Sequence, residues 1–87
     1  MLTKFLFKNN KSNYIGEDSI YYSFVGFKNK RALFKNLESG NYAIAGNAKV
    51  TMDKNVECSF IFYFKEYEKA LKYLNSASEF PSPEDLR

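Results

Sequence analysis

Residues 42–64 read YAIAGNAKVTMDKNVECSFIFYF, and the spacing of their apolar side chains decides how this chain folds. The even positions run Tyr42, Ile44, Gly46, Ala48, Val50 and Met52, then Val56, Cys58, Phe60, Phe62 and Phe64, while Asn47, Lys49, Thr51, Glu57 and Ser59 fall on odd ones. Alternation with period two is the pattern of half-buried strands. Between the runs, Asp53-Lys54-Asn55 suits a three-residue hairpin loop, because Asn tolerates the left-handed backbone on which such a loop ends. A hairpin closed there sets Met52 opposite Val56, Val50 opposite Cys58, Ala48 opposite Phe60, Gly46 opposite Phe62 and Ile44 opposite Phe64. Every pair then keeps the apolar set on one face.

Beyond Phe64 the period changes. Tyr67, Ala70, Leu71 and Leu74 sit at i, i+3, i+4 and i+7, which predicts a helix over 66–76, with Glu68 and Lys72 as an exposed i,i+4 pair. This helix is expected to cover the hairpin's apolar face. Residues 78–87 have the Ser- and Pro-rich composition of a flexible tail, although Phe80 could dock on the body.

On the N-terminal side, residues 19–27 (SIYYSFVGF) are apolar on both faces and predict a central or doubly covered strand. Residues 3–8 predict a shorter strand, and Asn9-Asn-Lys-Ser-Asn13 a polar loop. Two readings stand for residues 29–38. Asn29 could cap a helix that ends before Gly40, or Phe34-x-Asn36-Leu37-x-x-Gly40-x-Tyr42 could be a strand, a tight turn at Ser39-Gly40-Asn41 and a second strand. Those nine residues resemble a pattern of prealbumin-like domains, a resemblance that implies the strand. The expected fold is a single α+β domain over 1–77. Its core is a small antiparallel sheet of about four strands (3–8, 19–27, 42–52 and 56–64) packed against the C-terminal helix.

Composition narrows the function. The 87 residues include no His and a lone Cys, Cys58, which removes the commonest acid/base side chain and metal ligand and any intramolecular disulfide. A reducing, cytoplasmic setting is expected, with no membrane span and no cofactor. Eleven Lys, nine Asn, nine Phe and seven Tyr are types encoded by AT-rich codons. Residues 1–35 carry seven basic and two acidic side chains, and residues 36–87 carry six and eight, an asymmetry that permits an anionic partner.

No stretch carries catalytic chemistry. Cys58 falls on the inward face and reads as a small buried hydrophobe. Glu17 and Asp18 are adjacent and diverge, Glu66 and Glu68 fall on exposed helix positions, and no glycine run forms a phosphate loop. The odd face of the hairpin is expected to be its outer one, where Tyr63 and Ile61, surrounded by Ala43 and Ala45 and rimmed by Lys49 and Lys65, form a candidate partner-binding patch. Size, composition and missing chemistry fit a non-catalytic protein that docks on a host protein or nucleoprotein complex, for instance a phage or mobile-element inhibitor of a nuclease or defence complex; a homodimer is allowed. The alternative is a small basic nucleic-acid-binding module using Lys4, Lys8, Lys11, Lys28, Lys30 and Arg31.

Overall fold

In the computed structural model, which describes residues 5–86, two-residue reversals convert most of the N-terminal half into hairpins. Strand β1 (Phe5–Asn10) turns at Lys11, whose φ is 59°, into β2 (Asn13–Ile15). Strand β3 (Tyr21–Lys28) turns through Asn29 and Lys30, both left-handed at φ 54° and 60°, into β4 (Arg31–Asn36). Two successive left-handed residues are what a type I′ hairpin needs. Asn29 thus serves a turn rather than a helix cap, and residues 29–38 hold a strand.

The long hairpin follows as β5 (Tyr42–Gly46), β6 (Lys49–Val50), β7 (Val56–Cys58) and β8 (Phe60–Phe64), then helix α1 (Tyr67–Leu74) and a single 3-10 turn at Pro83–Asp85. All strand pairings are antiparallel, in the order β6-β7-β1-β2-β3-β4-β5-β8. The described residues therefore form an eight-stranded sheet against one C-terminal helix, which corrects the expectation of four strands. The run 42–52 breaks at Asn47, which has φ 52°, and the run 56–64 breaks at Ser59. The polar stretch 9–13 is part of a ladder, because exposure and not absence of pairing accounts for its polarity.

The hairpin register also differs, by two residues. Val50 pairs with Val56 and Ile44 with Phe62, so the loop spans residues 51–55. The Thr51 N–H donates to Asn55 O at 2.8 Å and the Asn55 N–H to Thr51 Oγ1 at 3.1 Å, which ends the ladder before Met52 and leaves that side chain fully exposed.

Only Ser59 separates β7 from β8, yet β7 pairs with β1 and β8 with β5, strands far apart in the sheet order. The sheet must curl on itself into a small barrel. Where the strands break, the apolar set changes sides. Ala48, Val56 and Cys58 point into the barrel with Phe7, Tyr22, Ala32, Phe34, Ala43 and Ala45, while Ile44, Phe62 and Phe64 point outward to the helix. Phe7 and Phe34 stack at 4.2 Å between centroids inside. Outside, Leu33, Ile44 and Phe64 pack on Ala70, Tyr73 and Leu74. Strands β4 and β5 are thus buried on both faces.

The helix is shorter than the expected 66–76, and its buried stripe is Ala70, Tyr73 and Leu74, with Leu71 half-buried and Tyr67 exposed. Arg31 accounts for the rotation. Its guanidinium lies 4.0 Å over the Tyr73 ring and donates to Tyr73 O at 2.6 Å, to Ser76 O at 3.0 Å and to Ser78 O, which ties the last turn of the helix and the segment after it to the start of β4. Residues 78–86 lie against this surface: Tyr73 Oη donates to Glu79 O, Phe80 meets Phe62 edge-on at 6.2 Å, Leu86 bridges Phe64, and the buried Asp85 pairs with Lys69 at 3.2 Å and Lys72 at 3.5 Å. Among the described residues no helix is long and apolar enough to cross a membrane.

Candidate macromolecule-binding end of the barrel

Because neighbouring strands run antiparallel, alternate connections gather at one end. The turns at Lys11, at Asn29-Lys30 and at residues 51–55 therefore share an end of the barrel, and two hydrogen bonds tie them together: Asn9 N–H to Asn55 Oδ1 and Ala48 N–H to Lys30 O, each 2.8 Å.

Strand β3 supplies the apolar part of this end. Its pairing runs from Phe24 opposite Phe34 directly to Gly26 opposite Leu33, so Val25 is the extra residue of a β-bulge. The bulge returns Phe27, opposite Ala32, to the same side of the sheet as Phe24. That side faces the barrel interior deeper down. At the mouth the interior runs out, and Phe24 (43%), Val25 (42%) and Phe27 (47%) remain exposed. Phe24 leans on Phe34 at 5.7 Å and on Tyr14 at 6.1 Å, which fixes its ring while leaving one side open. Val50 and Met52 add further exposed apolar surface on β6 and its turn. Of the two readings of residues 19–27, central or doubly covered, the second is therefore corrected. The strand is central in the sheet, but the mouth of the barrel leaves it open.

The cations divide into two groups. Lys28 Nζ donates to Asn75 Oδ1 at 2.8 Å, Arg31 closes the helix end, and Lys69 and Lys72 hold Asp85. In contrast, the ammonium groups of Lys8, Lys11, Lys30, Lys35, Lys49, Lys54 and Lys65 make no hydrogen bond or ion pair among the described residues. Lys11, Lys30 and Lys54 stand on the three gathered turns, and Lys8 on the half of β1 that leads to the first of them. Of the basic residues singled out from sequence, Lys8, Lys11 and Lys30 are thus brought together. Lys28 and Arg31 are engaged with the helix, and Lys4 lies outside the described residues.

The residues chosen from the odd face of the hairpin are not assembled into one patch. Ala43 and Ala45 are fully buried in the barrel and Ile61 packs against them, so that face is the interior. Tyr63 and Ile61 line a cleft of about 230 Å³ at the opposite end, with Phe5, Phe7 and Tyr22. Lys65 is exposed just past β8, and Lys49 stands opposite Glu57, away from both. Beside the cleft, Glu17 Oε2 accepts the Leu6 N–H and Asp18 Oδ2 the Tyr22 hydroxyl, each at 2.8 Å. These carboxylates tie the β2–β3 loop to the barrel.

Cys58 is buried inside the barrel, and burial, with the charge of Glu17 adding to it, pushes its thiol up to about 12. Such a thiol is protonated near neutral pH and is a poor nucleophile. Among the described residues no group of three or more His, Cys, Asp or Glu side chains is placed to hold a metal ion. Phe24 and Phe27 escaped sequence reasoning. Their signal was the aromatic content of both faces of 19–27 immediately before the Lys28–Arg31 cluster. No protein-family model, curated protein or solved structure matches this chain.

Proposed function

We propose that this protein is a non-catalytic binding protein that docks on a macromolecular partner through the hairpin end of its barrel. The observation that carries this reading is the exposure of Phe24 and Phe27, side by side on one strand, beside lysines that have no partner within the described residues. Large rings left in water at neighbouring positions mark interaction surfaces more often than isolated apolar side chains do. The composition favours a host protein or nucleoprotein complex as the target and an inhibitory role of the kind phage and mobile elements encode.

The test is recovery of the tagged protein from its native cell, comparing wild type with Phe24→Ala, Phe27→Ala and Tyr63→Ala after each variant is shown to fold. Loss of the co-purifying macromolecule with the two β3 variants, and its retention with Tyr63→Ala, supports this surface. The reverse pattern moves the docking site to the cleft at Tyr63. Retention with all three overturns the proposal.

A further inference from the structure

Resting on that reading, we infer that the partner of the hairpin end is single-stranded nucleic acid, with bases stacked on Phe24 and Phe27 and phosphates held by Lys11, Lys30 and Lys54. The charges give the first argument. Lys28, Arg31, Lys69 and Lys72 are engaged by Asn75, by carbonyls at and beyond the helix end and by Asp85, whereas the lysines on the three turns gather at one end with no such partners among the described residues. Asp53 is the single acidic residue on these turns. An anionic partner fits this end.

The type of cation gives the second. Arginine presents a planar fork suited to one fixed carboxylate or phosphate, while lysine is a mobile point charge. Three lysines on separate turn tips suit phosphates strung along a flexible strand better than one carboxylate of a folded protein. Protein hot spots draw mainly on Trp, Tyr and Arg, and among the described residues none of these stands exposed and unengaged on this rim.

The bulge gives the third. By restoring Phe27 to the side of Phe24, Val25 makes the rings neighbours two strand positions apart, a spacing of roughly 7 Å at about 3.3 Å per residue. Each ring keeps its own open surface, enough for one base. A duplex hides base faces within its stack, so only a single strand can offer them. Phenylalanine carries no hydrogen-bonding group to read base edges, and the site is accordingly expected to have little sequence preference.

The test is fluorescence anisotropy of the full chain with a labelled oligothymidylate of about twelve nucleotides, from roughly 50 to 200 mM salt. Affinity should fall with a log–log slope of about 0.7 per phosphate held, so that Lys11→Gln, Lys30→Gln and Lys54→Gln each reduce the slope by about that amount. Phe27→Ala should weaken binding roughly tenfold and leave the slope unchanged, and Phe27→Tyr should restore it. Phe24→Ala should act likewise, and Phe27 carries the test alone if that variant melts through its contact with Phe34. Absence of binding at the lowest salt, equal binding of a duplex of the same length, or binding indifferent to both rings would each overturn the inference. In those cases the β3 variants' effect on the co-purifying partner separates the readings. A protein partner lost with Phe27→Ala keeps the docking surface and removes the nucleic acid, whereas a partner retained by both β3 variants removes both.

Discussion

The Phe60 ring lies across the α-carbon of Gly46, so close that a β-carbon built on Gly46 would stand 2.0 Å from Cε1 and Cζ of the ring. The two residues are cross-strand partners at the point where the long hairpin breaks, and Ser59 N–H donates to Gly46 O at 2.9 Å beside them. No β-carbon fits there without displacing the ring, which also packs on Phe62 at 5.1 Å. Gly46→Ala is expected to cost about 1–3 kcal/mol of stability, the usual range for overpacking. In a Phe60→Ala background the same change should cost much less, a coupling that a double-mutant cycle from urea unfolding measures directly. Equal costs in both backgrounds would show that the ring is not the obstacle.

Arg31 belongs to the helix and not to the docking surface. Its guanidinium reaches three carbonyls at once, and hydrogen bonds to charged groups are typically worth about 1.5–3 kcal/mol. Arg31→Ala should lower stability by at least that range, and Arg31→Lys should recover little, since one ammonium cannot reproduce the fork. Lys30→Ala, one residue away, should leave the melt nearly unchanged. A wild-type melt for Arg31→Lys would disprove the tethering role.

Asp85 ties residues 78–86 to the body. Burial favours its neutral form, but hydrogen bonds and charges from Lys69 and Lys72 outweigh that and hold the carboxyl below its ordinary range. With the folded pKa lowered, the stabilising contribution is present above the unfolded value of about 3.9 and is lost as pH falls through the folded one. Asp85→Asn should therefore be less stable than wild type at neutral pH, and the gap should close on acidification below about pH 4. Truncation of residues 78–87 should reproduce the neutral-pH loss and add to it. A truncated chain as stable as the full one would mean that these contacts contribute nothing.

Cys58 makes the opposite prediction at alkaline pH. Its folded pKa is raised from an ordinary 9.0 to about 12, so the folded state keeps a proton that the unfolded state releases, and stability falls as pH rises across that interval. Other groups titrate there as well, so the informative quantity is the difference from Cys58→Ala. Wild type should lose stability relative to that variant between pH 9 and about 12. In the native protein near neutral pH, the thiol should react with a thiol reagent only as fast as the barrel opens. Prompt labelling would show that it is not buried.

The local periods of the sequence carried over well where a residue has one face to bury. Ile44, Phe62 and Phe64 lie on the helix side as their alternation requires, and residues 67–74 form the helix that follows them. The two-residue error in register came from Thr51, whose hydroxyl accepts the Asn55 N–H and lengthens the loop, an interaction that alternation does not express. Strand β4 was ambiguous because Leu33 and Phe34 are buried on opposite faces, and a run apolar on both sides fits a helix as readily as a strand. The candidate site was legible only in part. The lysines of the turns stood out by charge, but nothing local distinguishes Lys30, which makes no side-chain hydrogen bond or ion pair among the described residues, from Arg31, which is held at the helix end.

By itself the sequence determined which segments alternate, where the helix follows, and that the chain has no His and a single Cys, since these depend on neighbouring residue types and on composition. The tertiary structure alone decided that the sheet closes. Closure rests on β1 meeting β7, with Phe5 opposite Cys58, a pairing across more than half the chain that no local period records. Closure then reversed the meaning of the hairpin's faces: Ala43 and Ala45 became core, Val56 and Cys58 turned inward past Ser59, and Phe24 and Phe27 were left at the mouth. Periodicity specifies which side chains share a face, whereas long-range pairing specifies what that face meets.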